Sequence, residues 1–187
     1  MLYRCIRQDS VTKDQLETTL QYMEPLRRAQ IESIAHPEVK RATLSGEWLC
    51  KTMLAQHCGL PFEQISLARD KNGKPFAQNL PLYFSISHSG AWVACAVSHT
   101  PVGIDLESIK PRDLSVARRV CTPKEIDFIF AEAEKQTHRF LKIWTVKEAF
   151  VKMTGEGIKA LSEADYFALL PRTICTETEE YILSVIE

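Results

Sequence analysis

The hexapeptide Val102-Gly103-Ile104-Asp105-Leu106-Glu107 does most to limit how this chain can fold. Val102, Ile104 and Leu106 alternate with Gly103, Asp105 and Glu107, the period-2 pattern of a strand buried on one face. Such a strand carries Asp105 and Glu107 on the same face, roughly 7 Å apart, and Gly103 leaves that face open beside them. Further on, Trp144-Thr145-Val146-Lys147-Glu148-Ala149-Phe150-Val151-Lys152 has the pattern of a helix. It offers a third carboxylate, Glu148, with Lys152 one turn on at i+4. Three carboxylates and a lysine could hold a divalent ion and a phosphate-bearing substrate. Taken singly, each stretch also fits a plain reading, as a strand with a wet polar face and as an exposed helix with Lys-Glu pairs. Lys147 resists that reading. At about 100° per residue it falls in the middle of an apolar arc of Phe140, Ile143, Trp144, Phe150 and Val151. A lysine there must reach out to water or find an anion, and an anionic ligand would be such a partner.

The chain has 187 residues, enough for one domain or two small lobes sharing a core, and is 45% apolar and 25% charged. A formal net charge of −1 argues against general nucleic-acid binding, which favours a basic chain. No apolar run approaches the length of a membrane span, and Met1-Leu2-Tyr3-Arg4-Cys5 does not read as a secretion signal. The cysteines Cys5, Cys50, Cys58, Cys95, Cys121 and Cys175 show no C-x-x-C spacing, and several lie in apolar segments. They read as buried thiols in a reducing, cytoplasmic compartment rather than as disulfides or zinc ligands.

A short strand is expected at 2–6, then helical patterns over 12–35, interrupted where Pro25 suits a new first turn. A clearer helix runs from Pro37 to His57, with Val39, Ala42, Gly46, Leu49 and Met53 as its stripe and Gly59 as its stop. Ile65–Arg69, the turn Asp70-Lys71-Asn72-Gly73 and Pro75-Phe76 suggest a hairpin-like reversal. Leu82–Ser87 and Trp92–Ser98 read as strands flanking a polar turn, Ser87-His88-Ser89-Gly90. After strand Val102–Glu107 come a basic loop and helices near 112–120, 123–134 and 137–154, the last stopped by Gly155. Tyr166–Leu170 and Tyr181–Ile186 read as short strands. Helices and strands mix without regular βαβ alternation, so the expected class is α+β. The change of texture near Thr100-Pro101 divides the chain into lobes of residues 1–100 and 101–187.

Two more polar groups stand out. The hydroxyls, backbone N–H groups and imidazole of Phe84-Ser85-Ile86-Ser87-His88-Ser89-Gly90 would suit a phosphate, although a serine-rich turn with a capped histidine is equally ordinary. No G-x-S-x-G elbow supports a nucleophilic serine. Gly73-Lys74-Pro75 is a turn presenting a lysine, and Lys40-Arg41 reads as a solvated pair or a ligand contact.

In this order the segments Gly73-Lys74-Pro75, Phe84-Ser85-Ile86-Ser87-His88-Ser89, Gly103-Ile104-Asp105-Leu106-Glu107 and Trp144–Lys152 resemble the 4′-phosphopantetheinyl transferases of the Sfp type. The match runs from roughly residue 24 to residue 158. The resemblance implies a fold of two similar α+β lobes in pseudo-twofold relation, with coenzyme A in the cleft between them. It implies a magnesium-dependent enzyme that transfers the 4′-phosphopantetheine of coenzyme A to a serine of an apo acyl or peptidyl carrier protein, releasing 3′,5′-ADP. Such an enzyme would act in fatty acid or secondary metabolite biosynthesis as a monomer, without nucleic acid or membrane. By resemblance, Asp105, Glu107 and Glu148 are the magnesium carboxylates, with Glu148 also the candidate base and Lys152 the lysine at the reacting phosphate. Ser87 and His88 hold coenzyme A phosphates, Lys74 stands beside the adenine, and Arg41 or Thr43 reaches the 3′-phosphate. Glu125 resembles another acidic position near the metal, and Ser85 stands where the family usually has asparagine. The residues after Ile158 imply a smaller second lobe than in longer relatives. The basic run from Lys110-Pro111-Arg112 to Arg118-Arg119 would meet an acidic carrier. The alternatives are a catalytically inactive carrier-binding homologue and a magnesium-dependent phosphodiesterase.

Overall fold

Thr12 starts α1 (Lys13–Gln21) with a reciprocal capping box: its hydroxyl accepts the Gln15 N–H while the Gln15 side chain accepts the Thr12 N–H. Pro25 and Pro37 occupy the first turns of α2 (Pro25–Glu32) and α3 (Pro37–Cys58), where a missing N–H costs no helix bond. Gly59, at φ 65°, ends α3 in the left-handed conformation. The computed structural model describes residues 1–70, 73–78 and 80–187. It divides the chain into two units, Met1–Pro101 and Val102–Glu187, each mixing helices with antiparallel strands, so the α+β class holds.

In the first unit, β2 (Leu67–Arg69) and β3 (Pro75–Ala77) pair antiparallel in a short two-stranded sheet of their own, separate from the one that holds β1 (Leu2–Arg7). The main sheet runs β1-β5-β4, with β4 (Tyr83–Ser89) and β5 (Trp92–Ser98) joined through Gly90-Ala91. α3 covers the sheet face that presents Phe84, Val93, Cys95 and Val97, and contributes Leu49, Met53 and Leu54 to that core. Of the expected α3 stripe, Val39 is the exception: it sits in the first turn and is 47% exposed. The polar segment at Ser87–Gly90 is not a loop. β4 continues to Ser89 because Ser87, His88 and Ser89 pair with Ala94, Val93 and Trp92, and Gly90, at φ 57°, makes the reversal. In the expected turn at Asp70–Gly73 the Gly73 N–H donates to the Asp70 carbonyl at 2.9 Å, while Lys71 and Asn72 lie outside the described residues.

In the second unit the sheet order is β6-β8-β7, from β6 (Gly103–Ser108), β7 (Thr173–Glu177) and β8 (Tyr181–Ile186), all antiparallel. α4 (Ala117–Val120), α5 (Pro123–Phe130), α6 (Gln136–Thr154) and α7 (Tyr166–Leu169) complete it. α6 packs on β6 and β8, burying Phe140, Leu141, Ile143, Val146 and Ala149 with Ile182 and Ile186. Gly155, at φ 79°, ends it. Two sequence expectations fail here, and one strand was missed. Residues 166–169 form a helix rather than a strand, because the Asp165 carboxylate caps it by accepting the Phe167 and Ala168 N–H groups at 2.8 and 3.1 Å. The helix expected from 112 begins only at Ala117, because Asp113 accepts both the N–H and the hydroxyl of Ser115 and holds that segment in a turn. β7 carried no clear signal: its burial along Thr173–Glu177 does not alternate.

Candidate active site

β6 presents Asp105 and Glu107 on one face, and Gly103 belongs to the same face by alternation. That face is not open beside the glycine. A Cβ on Gly103 would lie 1.8 Å from the Ala149 carbonyl oxygen and 2.8 Å from the Met153 nitrogen, so the backbone of α6 fills the space. The glycine therefore serves close helix-strand approach, and that approach brings α6 side chains to the carboxylates. A Gly103→Ala variant should lose about 3 kcal/mol or more, because backbone rather than a flexible side chain must yield. Its urea midpoint checks this, and an unchanged midpoint would mean the helix is not held there.

Lys152 uses the approach directly. Its Nζ donates to Asp105 Oδ1 at 2.6 Å and to the Ile104 carbonyl at 3.3 Å. Glu107 accepts from Arg112 at 3.1 Å, and the same guanidinium nitrogen also donates to the Ser108 carbonyl at 3.3 Å. Burial first, and then the charge of Asp105, push the Glu148 carboxyl above its ordinary value; Lys152 pulls it back and Glu107 adds to the rise. That interaction ties the three sequence-expected carboxylates into one electrostatic group. Thr145, buried on α6, shares a 2.8 Å hydroxyl contact with Ser184, the β8 residue opposite Asp105. Neither Thr145 nor Ser184 was singled out from the sequence, although Thr145 lies inside the Trp144–Lys152 segment.

Two expectations change. Lys147 is satisfied within the unit: its Nζ donates to the Val120 carbonyl at 2.6 Å and to Glu125 Oε2 at 2.8 Å, and both side chains are almost fully buried. Its anion is a carboxylate of the chain, not a ligand. Glu125 is thereby withdrawn from any surface role. It caps α5 through the Thr122 N–H and accepts the Tyr166 N–H at 2.7 Å.

The first unit separates its candidates. Alternation along β4 turns Ser87 and His88 to opposite sheet faces; Ser87 is buried and His88 exposed. Arg41 points to the hairpin end of the sheet, donating to the carbonyls of Gln8 and Val11 at 3.2 and 2.8 Å. Gln8 in turn donates through its backbone to the Ala91 carbonyl at 2.8 Å. Thr43 lies two residues on, nearly opposite around α3, and shares its side with Glu47 at i+4. Glu47 borders a cavity of about 240 Å³ whose wall also carries Arg27, Gln30, Arg69 and Pro75. Arg27 pairs with Glu47 at 2.8 Å and Arg69 approaches the same oxygen at 3.7 Å. Burial, then the Arg27 charge, lowers the Arg69 pKa. Burial also lowers that of Lys74, next to Pro75. Two guanidiniums converge on one carboxylate here, and Glu24 on the same wall brings the charged side chains to two of each sign; Arg27 and Arg69 are far apart in the chain, so the sequence did not show the pairing.

Residues 9–100 match a family model described as 4′-phosphopantetheinyl transferase, N-terminal, and residues 101–182 match one described as the 4′-phosphopantetheinyl transferase superfamily. The 4′-phosphopantetheinyl transferase Sfp of Bacillus subtilis strain 168 is 32% identical over 150 residues, which is 79% of this chain and 67% of the relative. The chain belongs to the 4′-phosphopantetheinyl transferase superfamily. The 4′-phosphopantetheinyl transferase psf-1 of Bacillus pumilus is 40% identical over 152 residues, 80% of this chain and 65% of the relative. HetI of Nostoc is 35% identical over 144 residues, 72% and 60% of the two chains. The chain thus spans roughly two thirds of the length of these family members or somewhat less. Among the described residues, no group of three or more His, Cys, Asp or Glu side chains is arranged to hold a metal ion, and no helix is long and apolar enough to cross a membrane.

Proposed function

We propose that this chain transfers the 4′-phosphopantetheine group of coenzyme A to a serine of an apo acyl or peptidyl carrier protein in a magnesium-dependent reaction. The observation that carries the reading is the electrostatic group of Asp105, Glu107, Glu148 and Lys152, standing on the segments that carry the family resemblance. Magnesium binds through one or two carboxylates plus substrate phosphate rather than in an all-protein cage, so the donor set fits it. Asp105 and Glu107 would hold the ion, which would supply charge neutralisation at the pyrophosphate. Glu148 takes the proton of the carrier serine, and its raised pKa makes it a stronger base than an ordinary carboxylate once ionised. Lys152 delivers positive charge, or a proton, to the leaving 3′,5′-ADP.

Coenzyme A carries several phosphate charges, and the Arg27 and Arg69 guanidiniums in the cavity of the first unit could meet one of them, beside Lys74 and with Thr43 on the same side of α3. Ser87, His88 and Arg41 supply further polar contacts. Arg118 and Arg119 are exposed and would meet an acidic carrier, whereas Arg112 is already engaged by Glu107.

The test incubates the chain with coenzyme A, magnesium and an apo carrier, and reads the carrier by intact mass. A phosphopantetheine adduct that chelator prevents supports the proposal. Carrier bound but unmodified would reveal an inactive binding protein, and coenzyme A hydrolysis without carrier a phosphodiesterase. Within the working reaction, Lys152→Ala should lower kcat far more than it raises the KM for coenzyme A, because its charge acts on negative charge that develops in the transition state. His88→Ala should act mainly on that KM. Steady-state rates against coenzyme A concentration separate the two, and a pure KM effect in both variants would refute this division of roles.

A further inference from the structure

The last turn of α3 and the exit of β5 bring two histidines together in the first unit. His57 Nε2 lies 3.3 Å from His99 Nε2, with ring centroids 5.3 Å apart and planes inclined at 54°. Both side chains are exposed, and neither belongs to the transfer chemistry proposed above. We propose that His57 and His99 form a two-imidazole chelate for a divalent transition-metal ion.

Geometry is the first support. Two nitrogens bound tetrahedrally at about 2.1 Å lie about 3.4 Å apart, close to the separation found here. Each ring would then carry its proton on Nδ1, leaving both Nε2 lone pairs for the ion, with water in the remaining positions. The second support is electrostatic. His57 stands in the last turn of α3, where the unpaired carbonyls of a helix end favour a cation. The third is rigidity. Gly59 caps the helix, and the Leu60 N–H donates to the Ala55 carbonyl at 3.0 Å. On the other side, Ser98 Oγ accepts the Thr100 N–H at 3.3 Å and closes a turn around residue 99. Because α3 packs on β5, both backbones are fixed before any ion arrives, and little ordering remains to oppose binding.

The probe is Ni²⁺, which imidazole suits, since thiolates compete harder for zinc and the chain carries six cysteines. Calorimetric titration of the full chain with NiCl2, without magnesium or coenzyme A, should show one equivalent bound. His57→Gln and His99→Gln should each weaken it about a hundredfold, because the second imidazole acts as an intramolecular ligand. Ni²⁺ should also raise the Tm of the wild type but not of the variants, and circular dichroism verifies that the variants are folded. Wild-type affinity in the doubly substituted chain, or no Ni²⁺ bound by the wild type at millimolar concentration, would overturn the proposal.

Discussion

Asp105→Ala should reduce phosphopantetheine transfer by roughly a thousandfold or more, the several kcal/mol expected when a metal-binding carboxylate is lost from a phosphoryl-transfer site. The same change strips Lys152 of its 2.6 Å partner and removes one of the charges that raise the Glu148 pKa. On the proposed reading it therefore strikes the ion, the base and the leaving-group lysine at once. Asp105→Asn, which keeps the shape and removes the charge, should be nearly as inactive. The measurement is the initial rate with saturating coenzyme A and carrier, beside a circular-dichroism spectrum showing the variant folded. An Asn variant with near wild-type turnover would mean that this carboxylate does not serve the chemistry.

The largest stability effect should come from a residue that touches no substrate in this scheme. Lys147→Ala leaves the Glu125 carboxylate, 0% exposed, without its ammonium partner, and removing one member of a buried pair typically costs about 3–5 kcal/mol. Lys147→Met retains most of the side-chain volume but not the charge, and should lose nearly as much. Urea denaturation measures both. A Met variant as stable as wild type would show that Glu125 is satisfied by the Thr122 and Tyr166 N–H groups alone.

Local signals made much of this fold legible. Prolines at helix starts, Gly59 and Gly155 at helix ends, and the strand signal at Gly103–Ser108 each act over a few residues, and each held, although Gly103, Ile104, Asp105 and Leu106 are all buried rather than alternately so. The errors arose where one side chain redirected the backbone. Asp165 turns an apolar run that resembles a strand into a helix, and Asp113 delays a helix that composition alone would begin earlier. The site divides in the same way. Asp105, Glu107, Glu148 and Lys152 could be read from strand and helix periods, and the structure joins them in one electrostatic group. The partner of Lys147 could not, because pairing with Glu125 depends on how α5 docks against α6. Nor could the pairing of Arg27 and Arg69 on Glu47, which joins three separate elements.

Among the described residues, the strand that bears Asp105 and Glu107 hydrogen-bonds within its sheet only to β8, with Gly103 opposite Ile186 and Glu107 opposite Ile182. All the helices of the second unit are strung between these two strands. Ordering the carboxylates therefore requires closure of a long loop, whose entropic cost is met before native contacts repay it. During synthesis, β6 leaves the ribosome well ahead of β8, its partner in the sheet. Asp105 and Glu107 are thus among the first residues of their unit to be made and among the last to be set in place.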